Sequence, residues 1–355
     1  MTTSFSASPR PLWLAPLALS IALASGSLLA DDDSDWPLGH YPLPEDGNIV
    51  GERYTVEVEG DETLLDIARA NNVGYEEIRA ANPDISIWIP GDGTEVVIPA
   101  KHILPDAPRE GLVVNLAELR LYYFPPTGNG ETPRVETYPI GIGREGFNTP
   151  LGTTETTMRL EDPAWYPPRS MREEAAERGE PAPAVVPPGP DNPLGRHAIL
   201  LDIPGYLIHG TNMPDGIGMR ASRGCIRMYP EDIEHLYGNI PNGTAVNIID
   251  DHFKVGWEED TLYVQAFAPA EQRDDALTHL LDPFDSLHRA LGDDLPDIDY
   301  GQLREIMEAA NGDLVAVYPP PEPVEEEQPE APEPGGIYRQ VLDAPGGMYQ
   351  ELVAG

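Results

Sequence analysis

Forty prolines and 34 glycines punctuate the 355 residues of this chain. Proline removes a backbone donor and fixes φ, and glycine weakens helix interiors. A chain interrupted this often is predicted to form short strands and turns, with few long helices. Its length exceeds what one core usually organises, which predicts two domains and some tails. Forty per cent of the residues are hydrophobic, enough for real cores. Asp and Glu number 61 against 22 Lys and Arg, a formal net charge of −39. That balance argues against nucleic acid as the main partner and against docking on anionic lipid, since both need clustered cations. The excess runs from Asp31 to the C-terminus, as expected of a salt-adapted protein or of an acidic secreted one.

Residues 1–30 read as a secretory signal peptide. A polar start with one positive charge precedes an apolar run over 12–24, and small residues at Ala22, Ala24 and Ala30 offer cleavage sites before Asp31. This predicts a protein working outside the cytoplasm, in a periplasm. Residues 31–51 are acidic and Pro-rich and read as a linker. Over 52–100 the order is strand, two short helices, strand, with Tyr54-Thr55-Val56 opening and Val97-Ile98-Pro99 closing the unit. Residues 110–250 are rich in short strands, which favours a barrel-like or sandwich domain. A long insertion at 165–190 interrupts it, with a short helix expected over 169–177. Residues 251–317 read as a partly helical extension. The Pro/Glu-rich segment 318–355 is expected to be a disordered acidic tail.

The chemistry concentrates around the lone cysteine, in Ser222-Arg223-Gly224-Cys225-Ile226-Arg227. One cysteine excludes an internal disulfide and any four-cysteine zinc site. Sixteen positions earlier stands His209-Gly210. A thiol attacks a carbonyl as thiolate, and an imidazole at the end of a neighbouring strand takes its proton. Gly224 permits close approach to a ligand, and the N–H groups of Gly224 and Cys225 are candidate oxyanion donors. Arg220, Arg223 and Arg227 surround the thiol in a chain poor in cations, and are expected to lower its pKa and hold a substrate carboxylate. The eight histidines are scattered, with no His-Glu-x-x-His, so no metal and no cofactor are expected.

These motifs resemble the YkuD-type L,D-transpeptidases, in the periplasmic branch that carries a LysM module. The family pattern is His-Gly, a loop, then Ser/Thr-His-Gly-Cys, an apolar residue and Arg or Asn. Further matches are Leu121-Tyr122-Tyr123, Tyr138-Pro139-Ile140-Gly141-Ile142-Gly143, Thr149-Pro150 and Gly189-Pro190-Asp191-Asn192-Pro193-Leu194-Gly195. Residues 52–100 resemble a LysM domain through Gly60-Asp61-Glu62-Thr63-Leu64 and Asn82-Pro83. The resemblance implies a mainly β catalytic domain with a small βααβ module that binds cell-wall glycan. It implies Cys225 as nucleophile, His209 as general base and the Gly210 carbonyl as the group orienting that base. Gly224 and Ser222 match supporting positions, Arg227 a substrate-binding one, and Tyr206 lines the pocket. The implied reaction cleaves the terminal D-Ala from a peptidoglycan tetrapeptide stem through a thioester. An amine then resolves it, making a 3→3 cross-link or attaching an outer-membrane lipoprotein. One position departs from the pattern: Arg223 stands where the family has His, so any proton transfer by that second imidazole is absent. Two other readings stay open on sequence, a hydrolase using the same thioester and a non-catalytic wall-binding protein.

Overall fold

The computed structural model describes residues 36–144, 146–270, 276–292 and 298–318, without the side chains of 276–282. The expected signal peptide and all but the first residue of the acidic tail lie outside the described residues. The elements in chain order are β1 (His40–Pro42), β2 (Ile49–Glu57), α1 (Leu64–Ala70), α2 (Tyr75–Ala81), β3 (Glu95–Ile103), β4 (Gly111–Asn115), β5 (Arg120–Phe124), β6 (Arg134–Pro139), β7 (Ile142–Gly143) and β8 (Gly152–Glu161). They continue as α3 (Arg169–Glu177), β9 (His197–Leu201), β10 (Leu207–His209), β11 (Arg220–Ser222), β12 (Ile226–Arg227), α4 (Pro230–Asn239), β13 (Ala245–Ile249), β14 (Phe253–Glu258), β15 (Thr261–Ala266), α5 (Ala276–Leu291), α6 (Tyr300–Ala309) and β16 (Val315–Tyr318).

The molecule is mainly β, as the proline and glycine content predicts. Nine strands form one sheet in the order β1-β6-β5-β4-β13-β8-β9-β10-β12. The sheet curls. Gly141, just past β6, bridges Arg227 in β12, so strands from opposite ends of the order meet. The enclosed face is apolar, with Leu112, Val114, Leu121, Ile140, Ile199, Ile208 and Ile226 all buried there. Segment 31–51 differs from the linker reading over its described part. His40–Pro42 pairs with β6, and β2 begins at Ile49, so this segment belongs to two sheets.

Residues 49–103 fold as β2-α1-α2-β3. The two strands pair from Ile49–Ile103 to Glu57–Glu95, longer at the outer end than the sequence pattern predicts. Thr63 caps α1, its side chain accepting from the Asp66 N–H while Asp66 reaches back to Thr63, so two of the orphan donors of the first turn are satisfied. Buried Asn82 joins α2 to β3, donating to the Ile78 and Val97 carbonyls and accepting from the Val97 N–H. This unit docks on the loop that precedes the cysteine motif. Tyr75 N–H donates to the Ile217 carbonyl at 3.0 Å, and fully buried Arg120 forks onto Glu77 at 2.8 Å. Gly218, at φ +84°, allows this approach: a Cβ there would lie 2.1 Å from the Tyr75 nitrogen.

Strands β14, β15 and β16 form a separate three-stranded sheet with its own core, Phe253, Leu262, Val264, Leu287, Leu303 and Val317. No helix among the described residues is long and apolar enough to cross a membrane.

Candidate active site

Strands β10 and β12 run parallel, with Ile208 opposite Ile226 and His209 opposite Arg227. Registered neighbours project to the same face, and faces alternate along each strand. Buried Ile208 and Ile226 anchor the two strands in the core. His209 and Arg227 take the other face; Cys225 stands in the turn just before β12, and the charge of Arg227 acts on both the thiol and the imidazole.

His209 is 4% exposed. Its Nδ1 lies 2.6 Å from the Gly210 carbonyl oxygen. A carbonyl can only accept, so Nδ1 carries the proton and Nε2 keeps its lone pair. Burial pushes this imidazole down to about 4, and Arg227 adds to the effect, while the Gly210 and Leu194 carbonyls pull the other way. At neutral pH the ring is therefore an uncharged acceptor. The Cys225 thiol donates weakly to the Gly205 carbonyl at 3.7 Å. Burial raises its pKa, opposed by a hydrogen bond from Leu207 backbone and by the charge of Arg227. Thiol and imidazole are therefore both neutral at rest.

The turn into Cys225 is braced from three sides. Ser222 Oγ donates to the Cys225 carbonyl at 2.6 Å and accepts from the Gly224 N–H at 3.2 Å. Thr149 Oγ1 donates to the Gly224 carbonyl at 2.8 Å. Gly224 has φ +103°, and a Cβ there would meet the Tyr206 ring at 2.9 Å. The Tyr206 hydroxyl donates to the Asn148 carbonyl at 3.2 Å, which fixes its ring against Gly224.

The three arginines do not act alike. Arg227 stays at the site, its Nε buried without a hydrogen-bond partner. Arg223 turns away to pair with Glu174 of α3, and its guanidinium stacks 4.6 Å above the Phe147 ring. Arg220 donates to the Ala117 and Ala268 carbonyls at 3.2 and 2.8 Å, tying the C-terminal segment to the β4–β5 loop. Among the three, only Arg227 enters the electrostatics of the thiol.

The catalytic-domain family of L,D-transpeptidases (YkuD) matches residues 109–248. The Escherichia coli (strain K12) protein named "Probable L,D-transpeptidase ErfK/SrfK" is 45% identical over 224 residues, 62% of this chain and 71% of that protein. "Probable L,D-transpeptidase YcfS" of the same strain is 44% identical over 248 residues, 68% and 76% of the two chains. The Salmonella typhimurium protein named "Probable L,D-transpeptidase ErfK/SrfK" is 39% identical over 284 residues, 77% and 89%. The chain belongs to the L,D-transpeptidase family.

Three of the expected site residues have other partners in this structure. Arg223 does not activate the thiol, because Glu174 and Phe147 hold its charge elsewhere. Arg220 ties two segments together through Nη2, which donates to both carbonyls, while its Nη1 is buried without a hydrogen-bond partner. Gly224 N–H is engaged by Ser222, so Gly224 serves by its shape and not as an oxyanion donor. Sequence reasoning also passed over four contributors. Glu174 and Phe147 place Arg223, and the Leu194 carbonyl faces the His209 ring. Asn192, fully buried, donates to the Pro163 carbonyl at 2.7 Å and accepts from the Leu194 N–H, fixing the loop that carries that carbonyl. The turn-rich run 189–195 is the signal that pointed to Asn192. Nothing local points to Glu174, whose partner is 49 residues away.

Proposed function

We propose that this chain is an exported, periplasmic cysteine L,D-transpeptidase acting on tetrapeptide stems of peptidoglycan. The observation that supports it most is a neutral His209, oriented by the Gly210 carbonyl and in register with Arg227, whose charge also acts on the Cys225 thiol.

Cys225 Sγ attacks the carbonyl of meso-diaminopimelate that is bonded to the terminal D-Ala. His209 Nε2 takes the thiol proton as the C–S bond forms. The Cys225 N–H faces the developing oxyanion, held by the Ser222 brace on its carbonyl. Collapse of the tetrahedral intermediate breaks the amide bond. The imidazolium returns its proton to the departing D-Ala amine, and a thioester remains on Cys225. Arg227, with its unpartnered Nε, binds a stem carboxylate. An amine attacks the thioester and His209 again moves the proton. The acceptor is a second diaminopimelate, giving a 3→3 cross-link, or a lysine of an outer-membrane lipoprotein.

The β2-α1-α2-β3 unit serves as a LysM-like glycan-binding module. Its loop exposes Trp88 at 62% and Ile89 at 79%, apolar surface suited to a sugar ring. Because α2 hydrogen-bonds the loop before the cysteine motif, glycan held there presents its stems close to the reaction centre.

The test is mass spectrometry of disaccharide-tetrapeptide incubated with wild type and Cys225→Ala. D-Ala release with a cross-linked dimer, from wild type alone, is the expected result. Tripeptide without dimer identifies water as the acceptor under these conditions and supports the hydrolase reading. No change with folded, reduced wild type overturns the catalytic reading and leaves a wall-binding protein.

A further inference from the structure

Three lone-pair donors converge from elements far apart in the sequence. They are His40 on β1, Glu136 on β6 and His235 on α4. Their ligand atoms all lie within 4.8 Å of one another. His40 Nδ1 is 3.8 Å from Glu136 Oε1, and His235 Nε2 is 3.2 Å from Glu136 Oε2. Ligands around tetrahedral zinc, with bonds of about 2.1 Å, sit roughly 3.4 Å apart. The observed spacing is thus within a small side-chain rotation of a zinc site.

The hydrogen bonds sharpen this. Asn239 Nδ2 donates to the His235 carbonyl at 2.8 Å, which fixes which end of the amide is nitrogen. The same Nδ2 lies 3.3 Å from His235 Nε2. A proton on Nε2 makes its 3.2 Å approach to Glu136 Oε2 a hydrogen bond, and a divalent cation would take the place of that proton. Glu136 is also oriented as a metal-binding carboxylate requires: Tyr138 hydroxyl donates to Oε2 at 2.9 Å and Arg134 Nε to Oε1 at 3.1 Å. The Arg134 charge works against a metal.

We propose that His40, Glu136 and His235 form a binding site for a zinc-class divalent cation. Two imidazoles and one carboxylate suit borderline-soft metals such as Zn²⁺ over Mg²⁺ or Ca²⁺. The metal staples the edge strand β1 to β6 and to α4, the helix that follows the cysteine motif. The sequence alone does not show this site, since its ligands come from three separate elements with no local spacing motif.

The test is calorimetric titration of ZnCl₂ into the metal-stripped full chain carrying Cys225→Ala, so that the thiol cannot bind zinc. One site per chain is expected, together with a higher Tm at saturating zinc. Adding His235→Ala should weaken binding at least tenfold and abolish the Tm rise. His235 is half-exposed, so this change leaves the fold intact. Glu136→Gln should weaken binding by a similar factor. Absence of binding below millimolar zinc overturns the proposal, as does binding that His235→Ala leaves unchanged.

Discussion

Around Cys225 the thiol and the imidazole are held uncharged, whereas beneath the C-terminal sheet a lysine and a glutamate are buried as a pair. Lys254 Nζ donates to Glu118 Oε1 at 2.7 Å and to the Ile103 carbonyl at 2.6 Å, with both side chains 1% exposed. Tyr122 hydroxyl and Asn115 amide saturate the same carboxylate at 2.6 and 3.2 Å. Every polar atom named there faces a partner, which is what a buried ion pair needs to offset its desolvation. Near Cys225, by contrast, Arg227 Nε is buried without a hydrogen-bond partner, and the proposed reaction uses His209 Nε2 as the acceptor for the thiol proton. One region spends its polar groups on the fold and the other reserves them for chemistry.

Breaking the two regions should therefore give opposite phenotypes. Cys225→Ala is expected to lower D-Ala release at least about 10⁴-fold while leaving the denaturation midpoint unchanged. Turnover by liquid chromatography and unfolding in urea check the two halves. Lys254→Ala should do the reverse. It strands a buried carboxylate, so about 3–5 kcal/mol of stability is lost while the folded fraction keeps its turnover. Lys254→Met combined with Glu118→Gln removes both charges and should recover most of that loss.

A third prediction uses acid. His209 stands at about 4 in the fold, below its ordinary value near 6.5. The unfolded chain therefore binds a proton that the folded chain refuses. This contribution to stability is present above about pH 6.5 and is lost as pH falls through about 4. Buried His102 is held well below its ordinary value by burial and by the charges of Arg120 and Lys254, and acts in the same direction. The urea midpoint should decline from pH 6.5 to 4. The acid limb of kcat/KM should lie near pH 4, not near 6.5. A limb at 6.5 would mean that the imidazole is not held neutral by its surroundings.

The smaller effects sharpen the view of the motif. Ser222→Ala removes two hydrogen bonds from the turn and should cost about 1 kcal/mol and roughly tenfold in kcat, read from steady-state kinetics. Arg223→Ala and Glu174→Ala should each change kcat/KM by only a few-fold, and the double variant should match either single one. A large effect of Arg223→Ala alone would return that arginine to the reaction centre.

Much of this contrast was legible in the sequence, but unevenly. The cysteine motif and His209 stand out because nucleophilic chemistry needs fixed residue types at nearby positions, and two adjacent strands carry both. Helices over 75–81 and 169–177 followed from local spacing, and the structure has them at those positions. The Lys254–Glu118 joint was not legible. A lysine in an alternating strand reads as a solvent-facing residue until β14 is packed on the β4–β5 loop, 136 residues away. The same holds for β1, whose acidic, Pro-rich surroundings read as a linker and whose pairing depends on β6. Arginines near the thiol in sequence were expected to serve it, yet Arg220 and Arg223 are turned away by carbonyls and a carboxylate that only the fold brings near.

The most direct test of a reserved, reactive thiol is intact-protein mass spectrometry shortly after mixing the chain with a disaccharide-tetrapeptide. The account predicts an adduct equal to the donor minus D-Ala, located on Cys225 by peptide mapping and absent from Cys225→Ala. Product formation with no such adduct at any time, or an adduct that survives in Cys225→Ala, would contradict it.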